Sequence, residues 1–104
     1  MVIVAGSFVV AAADRNAFIE GRRSGMEASR AEAGCLDYVF AADPLDPERV
    51  VLFERWEDQA ALDAHIAGMR ERRSSGEPAP AGPRVEVKSS EIVKYEISSF
   101  GPLG

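Results

Sequence analysis

The chain is poor in the reactive side chains and motifs that mark most recognisable chemistries. Of its 104 residues one is cysteine, one tryptophan, one histidine and two tyrosine. A single cysteine, Cys35, allows no internal disulfide, which fits a reducing compartment. Basic residues form no long stripe. The densest group, Arg70, Arg72 and Arg73 around Glu71, sits in a chain of net charge −5. A phosphate backbone or an anionic membrane surface therefore meets no positive footprint. No CxxC pair, HExxH, Gly-rich phosphate loop or GxSxG is found, so metal, nucleotide and serine-hydrolase chemistry lack support. The apolar start, MVIVAGSFVVAAADRN, has no basic leader region and is too short to span a bilayer. The expectation is a cytoplasmic protein that binds neither nucleic acid nor membrane.

What is present describes a folded domain. The length and the 46% apolar content suit one domain over residues 1–104. Val2 to Val10 is rich in β-branched residues and reads as a strand. Asp14 is placed to cap a helix running to about Ala31, with Phe18, Arg22 and Met26 on one stripe. Cys35 to Ala41 reads as a second strand. The turn formers Asp43-Pro44-Leu45-Asp46-Pro47-Glu48 make a hairpin loop, and Arg49 to Trp56 follows as the third strand. Asp58 caps a second helix to about Arg73, with Leu62, Ile66 and Met69 as its buried stripe. Residues 74–83, SSGEPAPAGP, carry breakers and no periodicity, and read as a mobile loop. Arg84 to Ser99 is a last strand with Val85, Val87, Val93, Tyr95 and Ile97 on one face, and residues 100–104 read as a frayed tail.

The order βαββαβ predicts an α+β, ferredoxin-like plan: a four-stranded antiparallel sheet with the helices on one face. The strand faces add a second expectation. Alternation puts Leu36, Tyr38 and Phe40 on one side and Cys35, Val39 and Ala41 on the other. In the third strand Val50, Leu52 and Trp56 oppose Val51 and Phe53. Both faces are substantially apolar, whereas a half-solvated sheet should alternate cleanly. A second copy packed face to face would cover the face the helices leave open, so a two-fold homodimer is expected. The alternative is a monomer that folds its loop or last strand over that face.

The candidate site comes from the run EAGCLDYVFAADPLDPERVVLFERWEDQAALDAHI, residues 32–66. It brings Trp56, at the end of the third strand, near His65, on the following helix. Trp56 is ordinarily a core residue; its indole also suits a wall against a flat aromatic ligand. His65, at the border of the apolar stripe, is ordinarily a routine hydrogen-bonding histidine, and is also the one side chain here suited to proton exchange near neutral pH. Tyr38 and Phe40 share a strand face, and Tyr95 is a weaker case of the same kind. Glu54 alternates onto the Trp56 face, where an acid needs a partner; Arg22 and Arg55 are the candidates. Cys35 reads as a small buried hydrophobe.

Gly34-Cys35-Leu36-x-Tyr38, Glu54-Arg55-Trp56-Glu57-Asp58 and Ala60-Ala61-Leu62-x-Ala64-His65 together resemble the antibiotic biosynthesis monooxygenase domain, a family that includes small quinol and anthrone monooxygenases. The resemblance implies a dimeric α/β barrel, a pocket between sheet and helices in each subunit, and oxygenation of aromatic substrates without metal, flavin or haem. It implies a phenolic proton taken by His65; the residue reading adds an aromatic wall at Trp56 and expected substrate contacts from Tyr38, Phe40, Glu54 and Tyr95. The chain departs from the family after His65, where Gly68-Met69-Arg70-Glu71-Arg72-Arg73 and a polar loop replace more apolar helix. Haem-degrading members use an asparagine, a tryptophan and a histidine; the last two positions fall here on His65 and Ser75, so haem degradation is not implied. A non-catalytic binding or regulatory dimer on the same scaffold is the rival reading, and an isomerase or lyase for a small aromatic metabolite is a third.

Overall fold

A computed structural model of the chain describes residues 1–75 and 84–104. Strand β1 spans Val2–Val10, β2 Cys35–Ala42, β3 Arg49–Trp56 and β4 Val87–Glu96. All pairings are antiparallel, in the order β2-β3-β1-β4. A 3₁₀ turn at Ala12–Asp14 leads into helix α1, Arg15–Glu20. Helix α2 follows at Arg23–Arg30, and α3 spans Gln59–Ser74. This is the ferredoxin-like arrangement that the element order predicts. Most of the 74–83 stretch, expected to be a mobile loop, lies outside the described residues; Ser74 itself still belongs to α3. No described helix is long and apolar enough to cross a membrane.

The register sorts side chains into two faces. One cross-strand row reads Tyr38, Glu54, Val4, Lys94 and the next Phe40, Leu52, Gly6, Ile92. These rows face the helices. The rows between them, such as Val39, Phe53, Ala5, Val93, face away. In β3 burial alternates without a break, with Val50, Leu52, Glu54 and Trp56 all buried. Gly6 sits where β1 and β4 approach closely; a Cβ there would collide with the Glu91 carbonyl. The core has two parts. Val2, Tyr38, Trp56 and Leu62 form one cluster, and Val10, Phe18 and Val50 form the other, with Phe40 touching both.

Four details depart from the sequence reading. The first helical stretch is not continuous: it breaks at Gly21-Arg22, and Asp14 makes no side-chain cap. Gly21 and Arg22 close single turns onto the Ala17 and Ile19 carbonyls, as expected where glycine lowers helix propensity. Second, a bulge between Cys35 and Asp37 offsets the register of β2. It turns Cys35 toward the Trp56 cluster and leaves Leu36 exposed, the reverse of simple alternation. Third, the buried residues of α3 are Leu62 and His65, while Ile66 is exposed. Fourth, every residue of β4 is exposed, and the strand is shorter than Arg84–Ser99. The Asp58 cap does form, its carboxylate accepting from the Ala61 N–H at 2.9 Å, a contact worth ~1 kcal/mol.

Candidate functional site

Strand β3 ends with Glu54 and Trp56 two residues apart, so alternation directs both side chains toward the helices. The Asp58 cap starts α3 immediately, and the helical rise carries His65 two turns along, back over the end of the sheet. The outcome is a contact between the chain's one indole and its one imidazole. The ring centroids of Trp56 and His65 lie 4.8 Å apart, inclined by 36°. Tyr38, delivered by β2, stands 5.4 Å from His65 and 6.4 Å from Trp56, edge-on to both. Trp56 is fully buried; Tyr38 and His65 are 8% and 4% exposed. Phe40 continues the aromatic line 6.0 Å from Tyr38.

Two carboxylates meet this cluster. The indole N–H of Trp56 donates to Glu54 Oε1 at 3.0 Å in a buried hydrogen bond. The other acid is Glu32, from the loop between α2 and β2. Both of its oxygens lie 3.1 Å from Nδ1 of His65. Neither arginine considered as a partner for Glu54 reaches it. Arg55 is its strand neighbour and so points to the opposite face, where it binds Asp37 at 2.8 Å. The Arg22 guanidinium lies over the Phe18 and Phe40 rings, 4.8 and 5.9 Å from their centroids.

Burial shapes the electrostatics. It raises the Glu54 carboxyl above its ordinary value, against the Trp56 N–H and the nearby His65, which lower it; Glu32 adds to the rise. Burial likewise pushes the Tyr38 phenol up to about 12, with the charge of Glu54 adding to it, while Ser29 and Arg22 act in the other direction. The Cys35 thiol is raised by burial and by the acids Glu32, Glu54 and Asp37, which suits its reading as a small packing residue rather than a nucleophile.

Of the six side chains singled out from the sequence, five (Trp56, His65, Tyr38, Phe40 and Glu54) are brought together on the helix side. Tyr95 is not: it lies on the opposite face of the sheet, half exposed, beside Ile3. Register explains the separation, since Tyr95 pairs with an odd-numbered residue of β1 and the cluster contains Val2 and Val4. An open concavity of about 330 Å³ also lies on that opposite face, lined by Ala5, Val51, Phe53, Val93, Tyr95 and Glu91 among others. The space between sheet and helices, where the resemblance implies a pocket, is occupied at Trp56, Tyr38 and His65 by the rings' own contacts. Glu32 is the site residue that the sequence reading missed. It is 33 residues from His65 and carries no periodic signal that links the two.

The family model described as Antibiotic biosynthesis monooxygenase matches residues 1–68. The Synechocystis protein sll1783 is 31% identical over 102 residues, 98% of this chain and 67% of its own length. Among solved structures, a Deinococcus radiodurans protein superposes with a TM-score of 0.73 at 23% identity over the whole of both chains. The Shewanella oneidensis protein SO0527 superposes at 0.70 with 26% identity, over 90% of this chain and 87% of its own.

Proposed function

Because the chain belongs to the antibiotic biosynthesis monooxygenase family, we propose that it oxidises a small electron-rich aromatic, a quinol, phenol or anthrone, with molecular oxygen. The observation that carries this reading is the buried cluster in which His65 touches Trp56 and Tyr38 and holds a carboxylate at Nδ1. His65 takes the phenolic proton, which makes the substrate a better one-electron donor. One electron passes to oxygen, and the resulting superoxide and substrate radical combine to form a carbon–oxygen bond. His65 returns its proton to the peroxide. Breaking the O–O bond, with loss of the proton on the oxygenated carbon, leaves one oxygen as a carbonyl and releases the other as water. The substrate supplies every electron, in keeping with the cofactor independence that the family resemblance implies. Trp56, Tyr38 and Phe40 supply an apolar, stacking environment, and Glu54 fixes the indole.

The same reading includes a homodimer formed through the sheet face opposite the helices. Val93 and Tyr95 are exposed there, and the row Val39, Phe53, Ala5, Val93 runs apolar across all four strands. A monomer rarely leaves such a surface uncovered.

The polar sequence after His65, Gly68-Met69-Arg70-Glu71-Arg72-Arg73 and the loop that follows, where more apolar helix is the family's pattern, favours a second reading, a small-molecule-binding or regulatory dimer without turnover. Reaction under ¹⁸O₂ with a panel of hydroquinones and anthrones separates the two. Oxygen consumption with one labelled atom in the quinone supports the oxygenase. Saturable binding of the same compounds with no oxygen uptake supports the binding module.

A further inference from the structure

We infer that Glu32 is a positioning residue: it fixes His65 in the tautomer that bears hydrogen on Nδ1 and presents Nε2 as the proton acceptor. This deepens the proposed oxygenase reading, and its catalytic part rests on that reading.

Donor chemistry selects the tautomer. An ionised carboxylate only accepts hydrogen bonds. Both oxygens of Glu32 sit 3.1 Å from Nδ1, so a hydrogen on Nδ1 satisfies both and a lone pair there would face two acceptors. Neutral imidazole carries one hydrogen, and placing it on Nδ1 leaves Nε2 unprotonated. In free histidine the preference runs the other way, so the carboxylate has a state to select. The neighbouring groups do not compete for this role. Glu54, from β3, accepts the Trp56 N–H. Tyr38, from β2, meets the imidazole as a ring edge, and its raised phenol stays neutral over the working range.

The chain also holds Glu32 in place. Its own N–H donates to the Ser29 carbonyl at 3.0 Å. Two residues on, Gly34 has φ of +82°, and its carbonyl accepts the Glu57 N–H at 2.8 Å. Gly34 packs against Ala61, one turn of α3 before His65. The loop is thus fastened to the sheet end and to α3 within a few residues of the carboxylate. When His65 takes up a proton at Nε2, the charge formed on the ring faces Glu32, which is 27% exposed on its side chain and stays solvated. For histidines that bind metals, the group that orients the ring from behind changes affinity or activity by about 10–100-fold, which sets the scale expected for Glu32.

The test uses the full chain, uniformly labelled with ¹⁵N, at a pH where the imidazole is neutral. His65 is the one histidine, so its two ring nitrogens are read without assignment. The expected wild-type spectrum shows hydrogen on Nδ1. Glu32→Ala should move the population toward Nε2–H, and Glu32→Gln, which keeps an acceptor oxygen, should retain most of the Nδ1–H form. With an accepted substrate, Glu32→Ala should lower kcat at least about 10-fold with KM little changed, and Glu32→Gln should recover part of the loss. Wild-type protein carrying hydrogen on Nε2, or a tautomer indifferent to Glu32→Ala, overturns the assignment. The wild-type spectrum requires no variant to fold. It is also independent of turnover, so loss of the oxygenase reading and loss of the Glu32 assignment are told apart.

Discussion

Trp56 and His65 are in ring contact, 4.8 Å between centroids, and each is the chain's one residue of its kind. Indole emission therefore reports directly on the ring packed against it. We predict that His65→Ala, which opens a gap beside the buried indole, moves the tryptophan emission maximum to the red and raises quenching by acrylamide. Glu54→Gln, which keeps an acceptor for the indole N–H, should leave both near wild type. An emission spectrum indifferent to His65→Ala contradicts the ring contact.

Glu54 gives a pH dependence of stability whose sign follows from its environment. Burial holds its folded-state carboxyl above the ordinary glutamate value of 4.5. Between that value and the raised folded one, the native protein keeps a proton that the unfolded chain has lost. The contribution of Glu54 to stability is therefore full at low pH and is lost as pH rises through the folded value. Glu54→Gln keeps an acceptor for the Trp56 N–H and removes the titration. Its stability relative to wild type, measured by urea unfolding, should improve as pH rises above 4.5 and level off once the folded-state carboxyl has ionised. A difference that stays flat as pH rises through this transition contradicts the burial argument.

Gly34 ties the Glu32 loop to α3. Its φ of +82° disfavours any side chain, and a Cβ there would lie 2.5 Å from Ala61 Cβ. Gly34→Ala should destabilise the protein by about 1–3 kcal/mol. In an Ala61→Gly background part of that cost should disappear, because the collision is relieved and the backbone strain remains. A double-mutant cycle by chemical denaturation separates the two terms.

The sheet face away from the helices should be the dimer contact. Phe53→Glu places a charge in the centre of its apolar row, opposite Ala5 and Val39. Sedimentation velocity should show a dimer for wild type and a folded monomer for the variant. A wild-type monomer at micromolar concentration contradicts the face-to-face arrangement.

Much of this architecture is legible in the sequence. The alternation in β3 and the Asp58 cap fix where Trp56 and His65 point, and both features survive in the structure. Other features depend on interactions that no local pattern carries. The bulge at Leu36 exchanges the faces of Cys35 and Leu36, and nothing in the residue types there marks one extra position. The break at Gly21-Arg22 lets Arg22 lie across Phe18 and Phe40, a contact set by packing rather than helix period. His65 falls within the buried stripe because Glu32 supplies a partner from 33 residues away. Without that partner a histidine at this position reads as a border residue. Tyr95 is misplaced for a simpler reason: in an edge strand exposed on both sides, hydropathy does not say which face is inner.

The central claim is that His65, seated against Trp56 and Tyr38, removes a proton from an aromatic substrate that then reacts with oxygen. The most direct measurement is the initial rate of oxygen uptake, with a hydroquinone or anthrone, by wild type and by His65→Ala shown to be folded by circular dichroism. The account predicts turnover by wild type and a fall of about 10²–10⁴-fold in the variant, the range for losing a general base. Equal rates in the two proteins, or no uptake by wild type with any member of the panel, would contradict it.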